Sequence, residues 1–373
     1  MNSLWEKFGG YMIRDSSENK SLYYLTDFEV HDDVTYLKTE DKDLLLVSPL
    51  EASRAGKEAS VDKVINTAKY TEGDIRDDRE KEIDLIKKFL KDQNIEKLAV
   101  PEDFPLGLGD ELRKEIELSP VNDFVIEERK IKSEEELVKL NESQKMTEKA
   151  MKHSKEILEA SDIHEGKLNY EGEVLTSERL RKKIKRVLED AGCNVPKESI
   201  VASGREGSDS HSIGKGPIKA GEPIIIDIFP RKDEYFGDMT RTFVKGEASE
   251  EVEKMHSAVE EALKQALNVI KAGVTTDEVH GKVCEVLENR GFKTLRQDKD
   301  TEEGFIHSTG HGVGLELHEP PRIAENDEEL KEGMVLTIEP GLYFKDVGGI
   351  RIEDMIVVTE DGYENFNSMS YEL

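Results

Sequence analysis

Cysteine is nearly missing from this chain. Cys193 and Cys284 are the only two in 373 residues, too isolated for a disulfide framework and without the CxxC spacing of a thiolate zinc site. Such usage fits a reducing compartment, so a cytoplasmic location is expected. No apolar run approaches the roughly twenty residues that a bilayer-spanning helix needs. The opening "MNSLWEKFGG" lacks an apolar h-region and a small-residue cleavage site, so secretion is not expected. Positive charge is also scarce: 53 Lys and Arg stand against 82 Asp and Glu, a formal net charge of -29. A field of that sign repels duplex nucleic acid and anionic membranes unless a basic patch offsets it. The nearest candidate is "RLRKKIKR", residues 179–186. Its Leu180 and Ile184, with Val187 and Leu188 beyond, recur at helical spacing, so its bases read as the wet face of an amphipathic helix. Neither a nucleic acid nor a membrane is an expected partner.

The length implies two domains. In the first third, "SLYYLTDF" (21–28), "DKDLLLVSP" (41–49) and "KLAVP" (97–101) read as strands. "DDREKEIDLIKKFLKD" (77–92) places Ile83, Ile86, Phe89 and Leu90 on one helical stripe. This alternation predicts an α/β domain with a partly parallel sheet over residues 1–128. Ser133 followed by Glu136 is a capping-box signature that opens a long helix, and the boundary falls just before it. Residues 129–373 then show helical patterns near 176–191, 249–272 and 276–290. Strand-like runs cover 222–229, 237–244, 334–344 and 348–358. The second domain is therefore expected to be α+β, with a largely antiparallel sheet and helices in pairs.

Each of those four strands carries an acid within or beside an apolar run: Asp227 in "IIIDIF", Asp238 in "FGDMTRTF", Glu339 in "LTIEPG" and Glu353 in "GIRIEDM". A buried, unpaired carboxylate is costly, so such acids are normally protonated, salt-bridged or bound to metal. A single one is more often a salt-bridge partner. Four of them beside "HSTGHGVGLELHE" (307–319), which holds a third of the chain's nine histidines, point to a metal site. The turn "PRKDEY" lets the strands of Asp227 and Asp238 pair as a hairpin with both acids on one face. Four carboxylates and an imidazole are a mostly hard set suited to Mn, Co, Fe or Zn, and four negative charges balance two divalent cations.

Asp227, Asp238, His311, Glu339 and Glu353 resemble, in order and spacing, the five-ligand set of the pita-bread metallopeptidases. That family includes methionine aminopeptidases, Xaa-Pro aminopeptidases and Xaa-Pro dipeptidases (prolidases). The resemblance covers about residues 129–373 and extends more weakly, through "YYLTDF" and "LLLVSPLEASRA", to a creatinase- and prolidase-like N-terminal domain over 1–128. It implies an α+β pita-bread catalytic domain behind a smaller α/β domain, two divalent metal ions and a homodimer. His311 would be the imidazole ligand and His318 the catalytic histidine that steadies the oxyanion. His307 and His211 would line the substrate pocket, unless they are exposed loop residues. Arg322 would hold the substrate's terminal carboxylate through two parallel hydrogen bonds, or else bridge to a nearby acid. Thr240 would support the activated water from beside Asp238. Two departures from the family pattern are Phe229, where glycine is common, and Asp27 in place of the glycine of "YLTG".

The implied reaction is hydrolysis of the bond between a first residue and a following proline, with Asp238 and Glu353 bridging two ions that activate water. Glu339 would also shuttle the proton. The substrate would be a proline-containing dipeptide, or a longer peptide if the chain is an Xaa-Pro aminopeptidase. A pita-bread binding protein without activity and a metal-free creatinase-like hydrolase are the alternatives from other classes. Both typically lose the ligands that this chain keeps.

Overall fold

The computed structural model describes residues 2–72, 78–122 and 124–373. Its contacts divide the chain into two units, Met1–Arg129 and Lys130–Leu373. The first unit is built on a six-stranded sheet in the order Lys63–Asn66, Asp43–Val47, Val34–Lys38, Gly10–Asp15, Lys97–Pro101, Glu117–Val121. The strands at residues 10–15, 34–38 and 43–47 pair with one another antiparallel, and the flanking pairings are parallel. The sheet is thus partly parallel, as the alternating pattern implies. Helix Arg79–Asp92 begins on Asp78, whose side chain accepts from Lys81 N. Its stripe of Leu85, Ile86, Phe89 and Leu90 packs on Met12, Leu37 and Leu98 of the sheet. Each such buried side chain is worth about 1.5–3 kcal/mol over exposure.

The expected strand at 21–28 is instead a helix, Lys20–Thr26. Its tyrosines and threonine favour strands, but local capping overrides that preference. The Asn19 side chain accepts from Leu22 N at the start, and at the end Asp27 turns left-handed with φ 46° while its N–H donates to Tyr23 O. A left-handed terminus is where glycine is usual, which explains why aspartate, tolerant of that region, can stand there.

Every named strand pairing of the second unit is antiparallel. Helix Glu134–Glu159 opens with the full capping box of Ser133 and Glu136. With helix Ser177–Asp190 it shares a core against the sheet Ile200–Ser203, Ile224–Ile228, Met239–Phe243. Helices Glu250–Val269 and Thr276–Asn289 pair with each other over a second core. That core backs a five-stranded sheet in the order Glu319–Ile323, Gly310–Gly312, Val335–Ile338, Asp354–Val358, Tyr363–Asn365. Cys193 and Cys284 are buried thiols in different cores. No helix among the described residues is long and apolar enough to cross a membrane.

The runs expected as single strands at 334–344 and 348–358 are each interrupted. Val335–Ile338 pairs with Asp354–Val358, whereas Gly341–Phe344 pairs with Gly348–Arg351 in a separate ribbon. The break falls at Glu339–Pro340 on one side and Ile352–Glu353 on the other. Proline cannot donate to a ladder, so the sheet opens there. The two acids sit in that opening.

Candidate metal centre

Two hairpins bring the acids together. In the first, Asp227 lies inside a strand, opposite Thr240 on one side and Ile200 on the other. Asp238 precedes the return strand, and its main chain is held by Gln144 of the long helix. Asp238 N donates to Gln144 Oε1 and Gln144 Nε2 donates to Asp238 O, both at 2.7 Å. Gly237 permits this approach, since a Cβ there would lie 2.4 Å from Thr147 Oγ1 and 2.9 Å from Gln144 Oε1. The second hairpin supplies Glu339 and Glu353 at its central break. His311 comes from the short strand Gly310–Gly312, whose close packing needs glycine: a Cβ on Gly310 would meet Thr337 O at 1.8 Å.

All five side chains, with His211, His307, His318 and Arg322, line one cavity of about 650 Å³. Donor atoms of Asp238, His311 and Glu353 lie within 4.8 Å of one another. His311 Nε2 is 3.7 Å from Asp238 Oδ2 and 3.6 Å from Glu339 Oε1. Its Nδ1–H donates to Gly312 O at 3.0 Å, which leaves the Nε2 lone pair turned toward the acids. His318 packs edge-on against it, ring centroids 4.4 Å apart. Thr240, fully buried, donates to Glu353 Oε2 at 2.9 Å. His211 is exposed at the cavity's margin, and its N–H donates to Asp209 Oδ1. Arg322 is exposed as well and lies opposite His311 in the sheet register.

Arg351 and Tyr343 join this site although the sequence reading did not single them out. The Arg351 guanidinium is buried and donates to Asp227 Oδ2 at 2.8 Å, Thr240 Oγ1 at 3.2 Å and Tyr343 OH at 3.0 Å. Tyr343 OH lies 3.0 Å from His307 Nε2, while His307 Nδ1–H donates to Ser308 O. A basic residue inside the apolar strand "GGIRIEDM" carries the same signal that flagged the acids.

Burial pushes the carboxyls of Asp238 and Glu353 well above the ordinary range, and their acidic neighbours push the same way. Burial raises Glu339 to about 8 and also raises Asp227, with Arg351 opposing in both cases. Burial lowers His311 to about 4 and His307 to about 3. A set of acids that resist ionising together, beside neutral imidazoles, is a site that accepts cations. Asp227 Oδ1 sharpens this: it is fully buried and has no hydrogen-bond partner among the described residues. The donor set of four carboxylates and one imidazole therefore fits divalent metal ions.

Comparison with known proteins agrees. Residues 138–360 match the model of metallopeptidase family M24, and residues 15–131 match the creatinase/prolidase N-terminal domain. The chain belongs to metallopeptidase family M24, with a pita-bread catalytic fold preceded by a creatinase-type domain. It is 30% identical over 385 residues to an Xaa-Pro dipeptidase of Pyrococcus horikoshii, covering 100% of this chain and 99% of that one. Its fold is similar to an X-Pro aminopeptidase of Thermotoga maritima, with a TM-score of 0.82, 27% identity and coverage of 100% and 98%. It is likewise similar to an Xaa-Pro dipeptidase of Bacillus anthracis, with a TM-score of 0.84, 26% identity and coverage of 98% and 94%.

Proposed function

We propose that this chain is an Xaa-Pro dipeptidase that works with two divalent ions, of Mn, Co, Zn or Fe, held by Asp227, Asp238, His311, Glu339 and Glu353. The observation that carries the reading is the orphaned Asp227 Oδ1 beside buried Asp238 and Glu353 and half-buried Glu339 on one cavity wall. The same proposal includes a catalytic domain over 129–373, a creatinase-like domain over 1–128, a homodimer and a cytoplasmic location. When bound, the ions supply positive charge that balances the acids, activates water and polarises the scissile carbonyl. The chain's own groups do the rest. His318 donates to the carbonyl oxygen as negative charge develops on it. Glu339 carries the proton of the attacking water to the leaving proline nitrogen. Arg351 and Thr240 fix Asp227 and Glu353 by the hydrogen bonds described above. His307, held by Tyr343 and Ser308, and His211 border the substrate. Arg322 pairs with the dipeptide's terminal carboxylate.

Metal analysis combined with cleavage of Leu-Pro tests the reading. Turnover is expected with the metals and none after a chelator. In Asp238→Asn, metal content and turnover are expected to fall together, and full activity in that variant overturns the assignment. The likeness to the Thermotoga aminopeptidase keeps a second reading in play. Leu-Pro-Gly cleaved faster than Leu-Pro establishes an aminopeptidase; the reverse order establishes a dipeptidase.

A further inference from the structure

The cavity wall holds two cations that form no ion pair among the described residues. Lys197 and Arg322 both line it and both are exposed. Among the described residues neither side chain has an ion pair or a hydrogen bond. Acids outnumber bases in this chain by 82 to 53, yet none of the described ones pairs with either of these two cations.

The two reach the cavity from separate segments, Arg322 from a strand and Lys197 from the loop before Ile200–Ser203. Arg322 is the register partner of His311. Lys197 lies three residues before Ile200, which is the register partner of Asp227. Lys197 and His318 line the same cavity. The same cavity also carries the apolar side chains of Ile200, Phe229 and Leu317, and apolar surroundings strengthen a charge pair. Arg322 thus lies beside the strand of His311, and Lys197 just before the strand that pairs with that of Asp227.

An Xaa-Pro dipeptide offers three places for charge: its ammonium, its terminal carboxylate and the side chain of its first residue. Lys197 repels the ammonium. On the reading above, Arg322 takes the terminal carboxylate. What remains for Lys197 is an acidic first side chain. Resting on the Xaa-Pro reading, we propose that Lys197 is a specificity-determining residue that selects dipeptides with Glu or Asp before proline.

The test compares kcat/KM for Glu-Pro, its neutral isostere Gln-Pro, Lys-Pro and Leu-Pro on the metal-loaded full chain. Glu-Pro is expected to exceed Gln-Pro by about fivefold or more, as a partly screened charge pair gives. The ratio is expected to shrink in 1 M KCl, where the screening length falls to about 3 Å. Lys197→Met brings the ratio to one, and Lys197→Glu turns the preference toward Lys-Pro. Titration calorimetry on the chelator-treated chain supplies a readout apart from turnover, with Glu-Pro binding more tightly than Gln-Pro only while Lys197 is present. Equal wild-type rates for Glu-Pro and Gln-Pro overturn the proposal. So does a ratio that survives Lys197→Met, as it would if Lys197 only helped Arg322 grip the terminal carboxylate. Leu-Pro separates the two levels of the argument. Its cleavage without a Glu preference removes only the role of Lys197, and its complete resistance removes the Xaa-Pro reading as well.

Discussion

Glu353 and Asp354 are adjacent and almost equally buried, at 2% and 1% exposure, yet they face opposite environments. Asp354 is surrounded by donors. Arg241 Nη2 reaches Oδ1 at 2.8 Å, while Asn365 Nδ2 and Tyr371 OH reach Oδ2 at 2.6 and 2.5 Å. Glu353 receives one hydroxyl, from Thr240, and looks toward other acids. The contrast separates two uses of a buried carboxylate. Where the protein supplies the donors, the acid is part of the architecture, here tying Met239–Phe243 and the segment around 369–371 to the second hairpin through Arg241. Where the protein withholds donors and gathers like charges, the ionised acid needs a cation from outside.

Exchanging each acid for its amide should break the contrast cleanly. Glu353→Gln is expected to lower kcat/KM by at least about a thousandfold, because charge stabilisation at the reacting centre is lost. The same variant, freed of metal, should melt higher than the metal-free parent, since one of four mutually repelling acids is gone. Asp354→Asn should do the reverse. It leaves Arg241 buried without its counter-charge and costs about 3–5 kcal/mol, while the folded fraction keeps its metal. Metal assay and thermal melts on both variants check this. Equal metal loss in the two would end the distinction.

Metal removal and pH sharpen it further. Without ions, the cavity acids have carboxyls raised above their unfolded values, Glu339 from 4.5 to about 8. The folded state therefore binds more protons than the unfolded state across that interval, and stability falls as pH rises through it. Chelated protein should lose melting temperature steadily between pH 5 and 8. Restoring the metal should flatten or reverse the slope, because cations favour the ionised acids. A chelated chain whose melting temperature is level over this range would mean that the acids are already paired.

That the four acids and His311 share one cavity was legible because acids in apolar strands are out of place, and four of them beside a histidine cluster point to one site. The same criterion applied to bases would have found Arg241 and Arg351, each inside a strand of the same hairpins. Gln144 was less visible, as a neutral amide on a helix gives no signal until the main chain it holds is placed. At 21–28 the sequence reading failed because strand-favouring tyrosines hid a helix set by Asn19 and the left-handed Asp27. The breaks at Glu339 and Glu353 were hidden too. A strand that changes partners midway looks continuous in its apolar pattern, and only pairing shows that the acids occupy the gap.

Removing one hydroxyl from each face gives the smallest and most even-handed comparison. Tyr343 OH joins Arg351 to His307, and Tyr371 OH caps Asp354. Each phenylalanine variant should cost about 1 kcal/mol of stability, the usual net worth of one hydrogen bond. Their effects on turnover should differ. Tyr343→Phe loosens a guanidinium that holds Asp227 and a ring that borders the substrate, and a drop in kcat of about tenfold is expected, typical for groups that orient a metal ligand. Tyr371→Phe leaves Asp354 with Arg241 and Asn365, so steady-state kinetics should match the parent. Equal kinetic losses in the two variants would mean that the tail-facing ion pair reaches the chemistry through Arg241, whose Nη1 donates to the carbonyl of Glu353 at 2.6 Å.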